Sequence, residues 1–102
     1  HLVNEMSRSV LLGREASCQL VVKNDFASRQ HAHVELRLGK FIISDHSING
    51  TYIRFSSGQI VRINREEAVL LGSGSISLGQ SFAEHPTELI EFSIPARSEQ
   101  AA

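Results

Sequence analysis

The sequence has 102 residues, 41% of them hydrophobic, and its ten lysines and arginines against eleven aspartates and glutamates give a formal net charge of −1. This length suits one domain with its own core, and the balanced charge excludes a broad attraction to nucleic acid or to an anionic membrane. No apolar run approaches the roughly 20 residues of a membrane span. Cys18 is the single cysteine, which excludes an internal disulfide and favours a reducing compartment, so we expect a cytoplasmic protein.

The pattern of the chain predicts a single domain, 1–102, with a folded core at about residues 8–94. Residues 1–7 and 96–102 carry no regular apolar pattern, so we expect them to be linker or cloning remnants. Within the core, short β-prone runs alternate with turn residues and no window has a helical stripe, which predicts an all-β sandwich. Strands are predicted at residues 9–12, 18–22, 32–38, 41–43, 51–55, 59–63, 68–71 and 88–94, with Ile76 and Leu78 facing inward on a further strand.

Alternation of apolar and polar residues along 32–44, with a turn at Gly39-Lys40, predicts a β-hairpin. Its first strand is expected to face four side chains inward: Ala32, Val34, Leu36 and Leu38. In the preceding strand, the same rule places Cys18, Leu20 and Val22 on one face, so we expect Cys18 in the core.

Two polar clusters lie at the outer ends of this hairpin and are therefore expected to be close in space. Ser28-Arg29-Gln30-His31 precedes it, and Asp45-His46-Ser47-Ile48-Asn49-Gly50-Thr51 follows it. Asp45 and Ser47 read as turn-stabilising residues, because their short side chains bond to nearby backbone. Gly13-Arg14 ends an apolar run and can bring a second guanidinium to the same rim. Two arginines, hydroxyls and turn amides on one edge form a site suited to phosphate.

These three fragments, in this order and spacing, resemble the forkhead-associated (FHA) domain, whose signature is Gly-Arg, then Ser-x-x-His, then a loop ending in Asn-Gly. The resemblance covers about residues 8–94 and implies a β-sandwich of about eleven strands with the binding loops at one end. It also implies a module of a larger signalling protein that binds phosphothreonine peptides, without catalysis, metal or cofactor. The stretch 71–79 further looks like FHA modules attached to bacterial nucleotide cyclases or other signalling enzymes.

The resemblance also assigns roles to residues of this chain. It implies that Arg14, Ser28 and Arg29 bind the phosphate and that Asn49 binds the peptide main chain. Ile48 is the departure, because many members have threonine or serine there, whose hydroxyl adds a bond near the phosphate. Three further residues are implied to keep the binding loops in shape: Gly13, His31 and Gly50.

Three other readings of the same residues stay open at this point. The chain can be a structural FHA-like module that joins domains or subunits without reading phosphate. Ser28, His31 and Asp45 are the three residue types of a hydrolase triad, although no nucleophile elbow or oxyanion hole is indicated. His31 and His33 form a His-x-His pair with a spacing that can hold zinc, but no third ligand is fixed by spacing.

Overall fold

The computed structural model describes residues 9–94, and the predicted linkers at 1–7 and 96–102 lie outside this range. The described residues form nine strands and one short 3-10 helix, Phe82–Glu84, so the all-β prediction is confirmed with nine strands in place of eleven. The strands are β1 Ser9–Gly13, β2 Leu20–Val21, β3 Ala32–Arg37, β4 Lys40–Asp45, β5 Thr51–Phe55, β6 Ile60–Ile63, β7 Glu67–Leu70, β8 Ser73–Leu78 and β9 Ile90–Ser93. None of the described segments is a helix long and apolar enough to cross a membrane.

The strands make two sheets, one with the order β2-β1-β3-β4-β7 and the other with the order β6-β5-β8-β9. Every pairing is antiparallel except the short parallel contact between β1 and β2. The predicted hairpin is β3-β4, and its outermost pair is Ala32 with Asp45. The residues before Ala32 and after Asp45 therefore emerge together at one end of the sandwich.

Apolar side chains of both sheets meet between them and form the core. Val34 and Ile43 of the first sheet and Ile53 of the second are fully buried, and burial of one such side chain contributes roughly 1.5–3 kcal/mol to folding. The predicted inward face of the second strand is also confirmed, since Cys18, Leu20 and Val22 are all buried although only Leu20–Val21 is paired as β2.

Leu38 was expected to face inward, but 96% of its surface is exposed. The reason is that the hairpin turn consists of Leu38 and Gly39, with φ of 53° and 78°, while Lys40 already belongs to β4. A two-residue turn of this hand takes its residues out of the strand alternation. The predicted turn was thus displaced by one residue, and the inward face of β3 ends before Leu38.

Candidate functional site

Gly13 and Arg14 lie beside Ser28 and Arg29 because the two segments are bonded through their backbones. The Arg14 amide donates to the Ser28 carbonyl at 3.0 Å, and the Glu15 amide donates to the Arg29 carbonyl at 3.1 Å. A Cβ at Gly13 would lie 2.2 Å from the Arg29 oxygen. Only glycine permits this close approach, and the missing side chain of Gly13 therefore lets Arg14 lie next to the Ser28-Arg29 loop.

Two guanidinium groups are presented on this rim. Arg14 is exposed, and its Nε donates to the Ala27 carbonyl at 3.0 Å, while neither Nη atom makes a hydrogen bond to a residue of the described range 9–94. Arg29 is exposed, and its guanidinium makes no hydrogen bond to any residue of the described range 9–94. Its carbonyl instead accepts the Cys18 thiol at 3.2 Å, which anchors the main chain beneath it.

One carboxylate reduces the positive charge of the rim. Hydrogen bonds from Ser17 and Gln30 lower the pKa of Glu15; burial opposes them, and the charge of Arg29 adds the smallest lowering effect. Glu15 is therefore ionised at neutral pH. The net charge of Arg14, Arg29 and Glu15 is +1, which suits a compact anion better than a long polyanion.

His31 is fully buried and joins the two polar loops. Its Nδ1 accepts the Ser28 amide at 2.9 Å, so the ring hydrogen is on Nε2, which donates to the Gly50 carbonyl at 2.8 Å. Burial lowers the pKa of His31, outweighing the opposite effects of the Gly50 carbonyl and of the Asp45 carboxylate 3.7 Å away. The imidazole is therefore neutral at pH 7, and both of its nitrogens are used in holding loops.

The loop 45–51 is organised around the buried carboxylate of Asp45. Its Oδ2 accepts the amides of Ser47 at 3.0 Å and Arg65 at 2.8 Å, and its Oδ1 accepts the hydroxyls of Ser47 and Thr51. The Ser47 hydroxyl in turn accepts the Gly50 amide at 2.7 Å. Burial alone would raise the pKa of Asp45, but these hydrogen bonds outweigh it and lower the pKa. The turn is thus fixed around an ionised group.

Ile48 and Asn49, at the tip of this loop, are bonded to the loop that carries Ser28. The Ile48 amide donates to the Ser28 hydroxyl oxygen at 3.3 Å, and Asn49 Nδ2 donates to the Phe26 carbonyl at 2.9 Å. The Ile48 side chain is 78% exposed, so it does not pack beneath the loop. The structure therefore brings together the predicted site residues of all three sequence fragments.

Sequence reasoning missed two residues that shape the site. Asn24 holds the Phe26 amide through Oδ1 at 2.9 Å and the Leu78 carbonyl through Nδ2 at 3.1 Å, which fastens the Ser28 loop to the end of β8. An asparagine side chain often accepts the backbone amide two residues later in a turn, so the contact between Asn24 and Phe26 could have been predicted from the sequence. Arg62 reaches the Asn49 carbonyl at 3.4 Å. Its position depends on the β5-β6 register, for which the sequence carries no local signal.

The geometry does not support the hydrolase or the zinc reading. In a triad the histidine accepts from the serine hydroxyl, whereas here His31 accepts from the Ser28 backbone amide. Both ring nitrogens of His31 are used by Ser28 and Gly50, whereas the His33 ring stacks on His46 at a centroid distance of 4.9 Å. Within residues 9–94 no three His, Cys, Asp or Glu side chains are grouped so as to hold a metal ion.

Comparison with known proteins gives one consistent result. The family model of the FHA domain matches residues 10–78. The N-terminal FHA domain of Saccharomyces cerevisiae Rad53p, in complex with a phosphothreonine peptide, is 22% identical with a TM-score of 0.66 over 93% of this chain and 74% of that one. The FHA-2 domain of the Mycobacterium tuberculosis ABC transporter Rv1747 is 30% identical, with a TM-score of 0.58, and the match covers 72% of this chain and 62% of that one.

A third similar structure is the MEK1 FHA domain in complex with a HOP1 phosphothreonine peptide. It is 24% identical, with a TM-score of 0.61 over 85% of this chain and 81% of that one. No curated protein sequence is significantly similar to the chain. At these identities the Rad53p and MEK1 structures support the fold alone.

Proposed function

We propose, since the chain belongs to the FHA domain family, that it is a non-catalytic module that recognises phosphothreonine-containing segments of signalling proteins. FHA domains are interaction modules, and the Rad53p and MEK1 relatives were each solved with a phosphothreonine peptide. The observation that carries the proposal is the convergence of Arg14, Ser28 and Arg29 on one exposed rim, held there by backbone bonds.

The phosphate of the peptide would be bound by the two guanidinium groups and the serine. A phosphothreonine carries a charge of about −1.5 to −2 at pH 7, which the rim, with its net charge of +1 from Arg14, Arg29 and Glu15, offsets in part. A guanidinium can bond two phosphate oxygens at once, and because Arg14 bonds the Ala27 carbonyl through Nε, both of its Nη atoms stay available for the phosphate. The Ser28 hydroxyl accepts the Ile48 amide, so its own hydrogen is available to a phosphate oxygen.

The main chain of the peptide would be bound by Asn49, with Ile48 beside it. The Asn49 amide uses one hydrogen on the Phe26 carbonyl, which leaves a second hydrogen and the Oδ1 acceptor for an extended peptide. Gly13, His31 and Gly50 would act only through the loops that they shape. Their contacts to Arg29, Ser28 and each other are the support for that role.

Titration of the domain with matched peptides carrying phosphothreonine, phosphoserine or plain threonine tests the proposal. We expect selective binding of the first. Arg14→Ala should cost roughly 2 to 5 kcal/mol of binding, because it removes one partner of a hydrogen-bonded charge pair that the bound peptide shields from water, and Arg14→Lys should recover only part. Lys40→Ala, at the far end of the sandwich, is the matched loss of charge and should leave affinity unchanged. Equal binding of all three peptides, or of none, would refute the proposal.

The second candidate is a structural module that keeps the fold and joins domains without reading phosphate. It is favoured by the exposed Ile48 at a position where a hydroxyl would help to bind phosphate, and by the ionised Glu15 beside Arg29. Absence of phosphopeptide binding in the titration above would support it. A cytoplasmic location, and attachment to a nucleotide cyclase or another signalling enzyme, stay predictions from the sequence.

A further inference from the structure

Asn49 and Gly50 form a chemically reactive pair in the loop between β4 and β5. The backbone nitrogen of the residue after an asparagine can attack the side-chain carbonyl carbon, and a side chain on that next residue hinders the attack. Of the four asparagines in the sequence, Asn49 is the one followed by glycine, since Asn4, Asn24 and Asn64 precede glutamate, aspartate and arginine. Asn49 is therefore the asparagine with the greatest intrinsic tendency to lose its side-chain amide.

The fold requires glycine at the second position of this pair. Gly50 has a φ of 91°, which residues with a side chain rarely adopt, and a Cβ there would lie 3.0 Å from the Arg62 guanidinium. The Gly50 carbonyl also accepts the hydrogen of His31 Nε2 at 2.8 Å, so its backbone has to keep this position. Asn49 is exposed, and the proposed function assigns the peptide main chain to its amide. The reactive pair is therefore built into the binding end.

Two hydrogen bonds of the loop oppose the attack in the folded protein. The Gly50 amide donates to the buried Ser47 hydroxyl at 2.7 Å, so the attacking nitrogen keeps its proton and its orientation. Asn49 Nδ2 donates to the Phe26 carbonyl at 2.9 Å, which holds the side chain on the neighbouring loop. Both bonds must break before the nitrogen can reach the side-chain carbon. The reaction therefore requires local opening of the loop.

We propose that Asn49 is a site of spontaneous deamidation, that the modified protein no longer binds phosphothreonine, and that Ser47 slows the reaction by holding the Gly50 amide. The modification itself does not depend on the proposed function, whereas the loss of binding rests on it. Ser47 thereby has a second role beside shaping the turn, because it protects the residue that contacts the peptide.

The reaction needs only the atoms of the chain and water. The Gly50 nitrogen loses its proton and forms a bond to Cγ of Asn49, the bond from Cγ to Nδ2 breaks, and Nδ2 leaves as ammonia with that proton. The product is a closed succinimide ring, which water then opens at either carbonyl. Attack of water at Cγ gives aspartate in an unchanged main chain. Attack at the main-chain carbon gives isoaspartate, in which the main chain runs through the side-chain atoms.

Both products remove what the site takes from Asn49. Each carries a carboxylate in place of the amide, so the hydrogen donated to Phe26 and the hydrogen left for the peptide are lost together. The new negative charge follows Ile48, whose amide contacts the Ser28 hydroxyl, and it therefore repels the phosphate. Isoaspartate also lengthens the main chain beside Gly50, which displaces the Gly50 carbonyl from His31.

The test is incubation of the protein in mildly alkaline buffer, with and without urea, followed by mass spectrometry of proteolytic peptides. The mass of each peptide shows whether an amide nitrogen has been exchanged for oxygen, and Asn24 and Asn64 are internal references. In urea we expect Asn49 to convert well before either reference. In the folded protein its conversion should be roughly tenfold or more slower than in urea, because opening of the loop precedes the attack.

Two variants test the role of Ser47. Ser47→Ala removes the acceptor of the Gly50 amide and should raise the rate in the folded protein several-fold. Ser44→Ala removes another buried hydroxyl, bonded to Glu67 outside this loop, and should leave the rate unchanged. An unchanged rate in Ser47→Ala would refute the role of Ser47. If Ser47→Ala does not stay folded, the ratio of the rates with and without urea tests the restraint by the loop.

The loss of binding is measured on aged protein. Ion-exchange chromatography separates the modified fraction by its added negative charge, and we expect it to bind a phosphothreonine peptide roughly tenfold or more weakly than the unmodified fraction. Equal affinities would refute the loss of binding and leave phosphothreonine recognition standing. Absence of binding by the unmodified fraction would refute the proposed function and the loss of binding together, while the mass spectra still decide the modification. Conversion of Asn49 no faster than that of Asn24 and Asn64 in urea would overturn the inference.

Discussion

His31 contributes to stability through two buried hydrogen bonds rather than through its charge. We expect His31→Ala to lower the free energy of unfolding by about 2 kcal/mol or more, because the Ser28 amide loses its acceptor and a buried cavity is left. Denaturant titration measures the loss directly. His46→Ala, which removes an exposed ring, should cost less than about 1 kcal/mol, and equal losses in both variants would contradict the assignment.

The same histidine makes stability depend on pH. Because burial lowers the pKa of His31, the unfolded chain binds a proton more readily than the folded protein. Its stabilising contribution is therefore complete above the unfolded pKa of about 6.5 and is lost as the pH falls through that value, until the folded histidine is protonated as well. Urea titrations between about pH 7.5 and pH 5.5 should show this decline. In His31→Gln the decline should be smaller, and an undiminished one would assign it to other groups.

Ile48 is the position where a side-chain hydroxyl is expected to improve the binding of phosphothreonine. Its side chain is 78% exposed, so Ile48→Thr buries no unpaired hydroxyl, and the shared β-branching keeps the backbone preference. We expect phosphothreonine affinity to rise by roughly 0.5 to 1.5 kcal/mol, the contribution of one hydrogen bond, with an unchanged melting temperature. Measuring both quantities on one sample checks the prediction, and a lower melting temperature without a gain in affinity would contradict it.

At the scale of the element, the β3-β4 hairpin carries avoidable strain. Leu38 has a φ of 53°, a left-handed conformation that costs a leucine roughly 1–2 kcal/mol, and its exposed side chain gains nothing in return. Asn-Gly is the favoured sequence for such a turn. Leu38→Asn should therefore raise the free energy of unfolding by about 0.5–1 kcal/mol. Leu71→Asn removes a similarly exposed leucine and should give no gain, and a thermal melt of each variant makes the comparison.

The hairpin also marks how far sequence reasoning reaches. The alternation at 32–37 predicted β3 and its buried face, because a period of two depends only on local geometry. Whether Leu38 faces inward depended on which two residues form the turn. The turn is Leu38-Gly39, which lacks the Asn that usually marks the first position of such a turn in a sequence. Arg62 was out of reach for another reason, since its contact with Asn49 exists only once β6 has paired with β5. The sequence therefore predicted the strands from their local periodicity, but it did not predict which residues of neighbouring strands contact the site.

At the scale of the whole molecule, one carbonyl connects the two sheets at the binding end. The Gly50 oxygen accepts His31 Nε2, from the segment leading into the first sheet, and the Gly79 amide at 2.9 Å, from the end of the second. Gly79 has a φ of 85°, and a Cβ there would lie 2.2 Å from the Phe26 oxygen, so the Ser28 loop packs closely on the same point. The site is thus built where both sheets and three loops meet.

The loop 45–51 contains two kinds of amide, and solvent deuterium should distinguish them. The Ser47 and Gly50 amides are bonded to buried side-chain oxygens, so their exchange should be slowed by orders of magnitude and should require opening of the sandwich end. The Ile48 amide makes only an exposed hydrogen bond of 3.3 Å to the Ser28 hydroxyl, so it should exchange early in the free protein and slowly once a phosphopeptide covers Ser28. Hydrogen exchange measured by NMR would thus report binding at the Ile48 amide. The Ser47 and Gly50 amides of the same loop would serve as internal references for its stability.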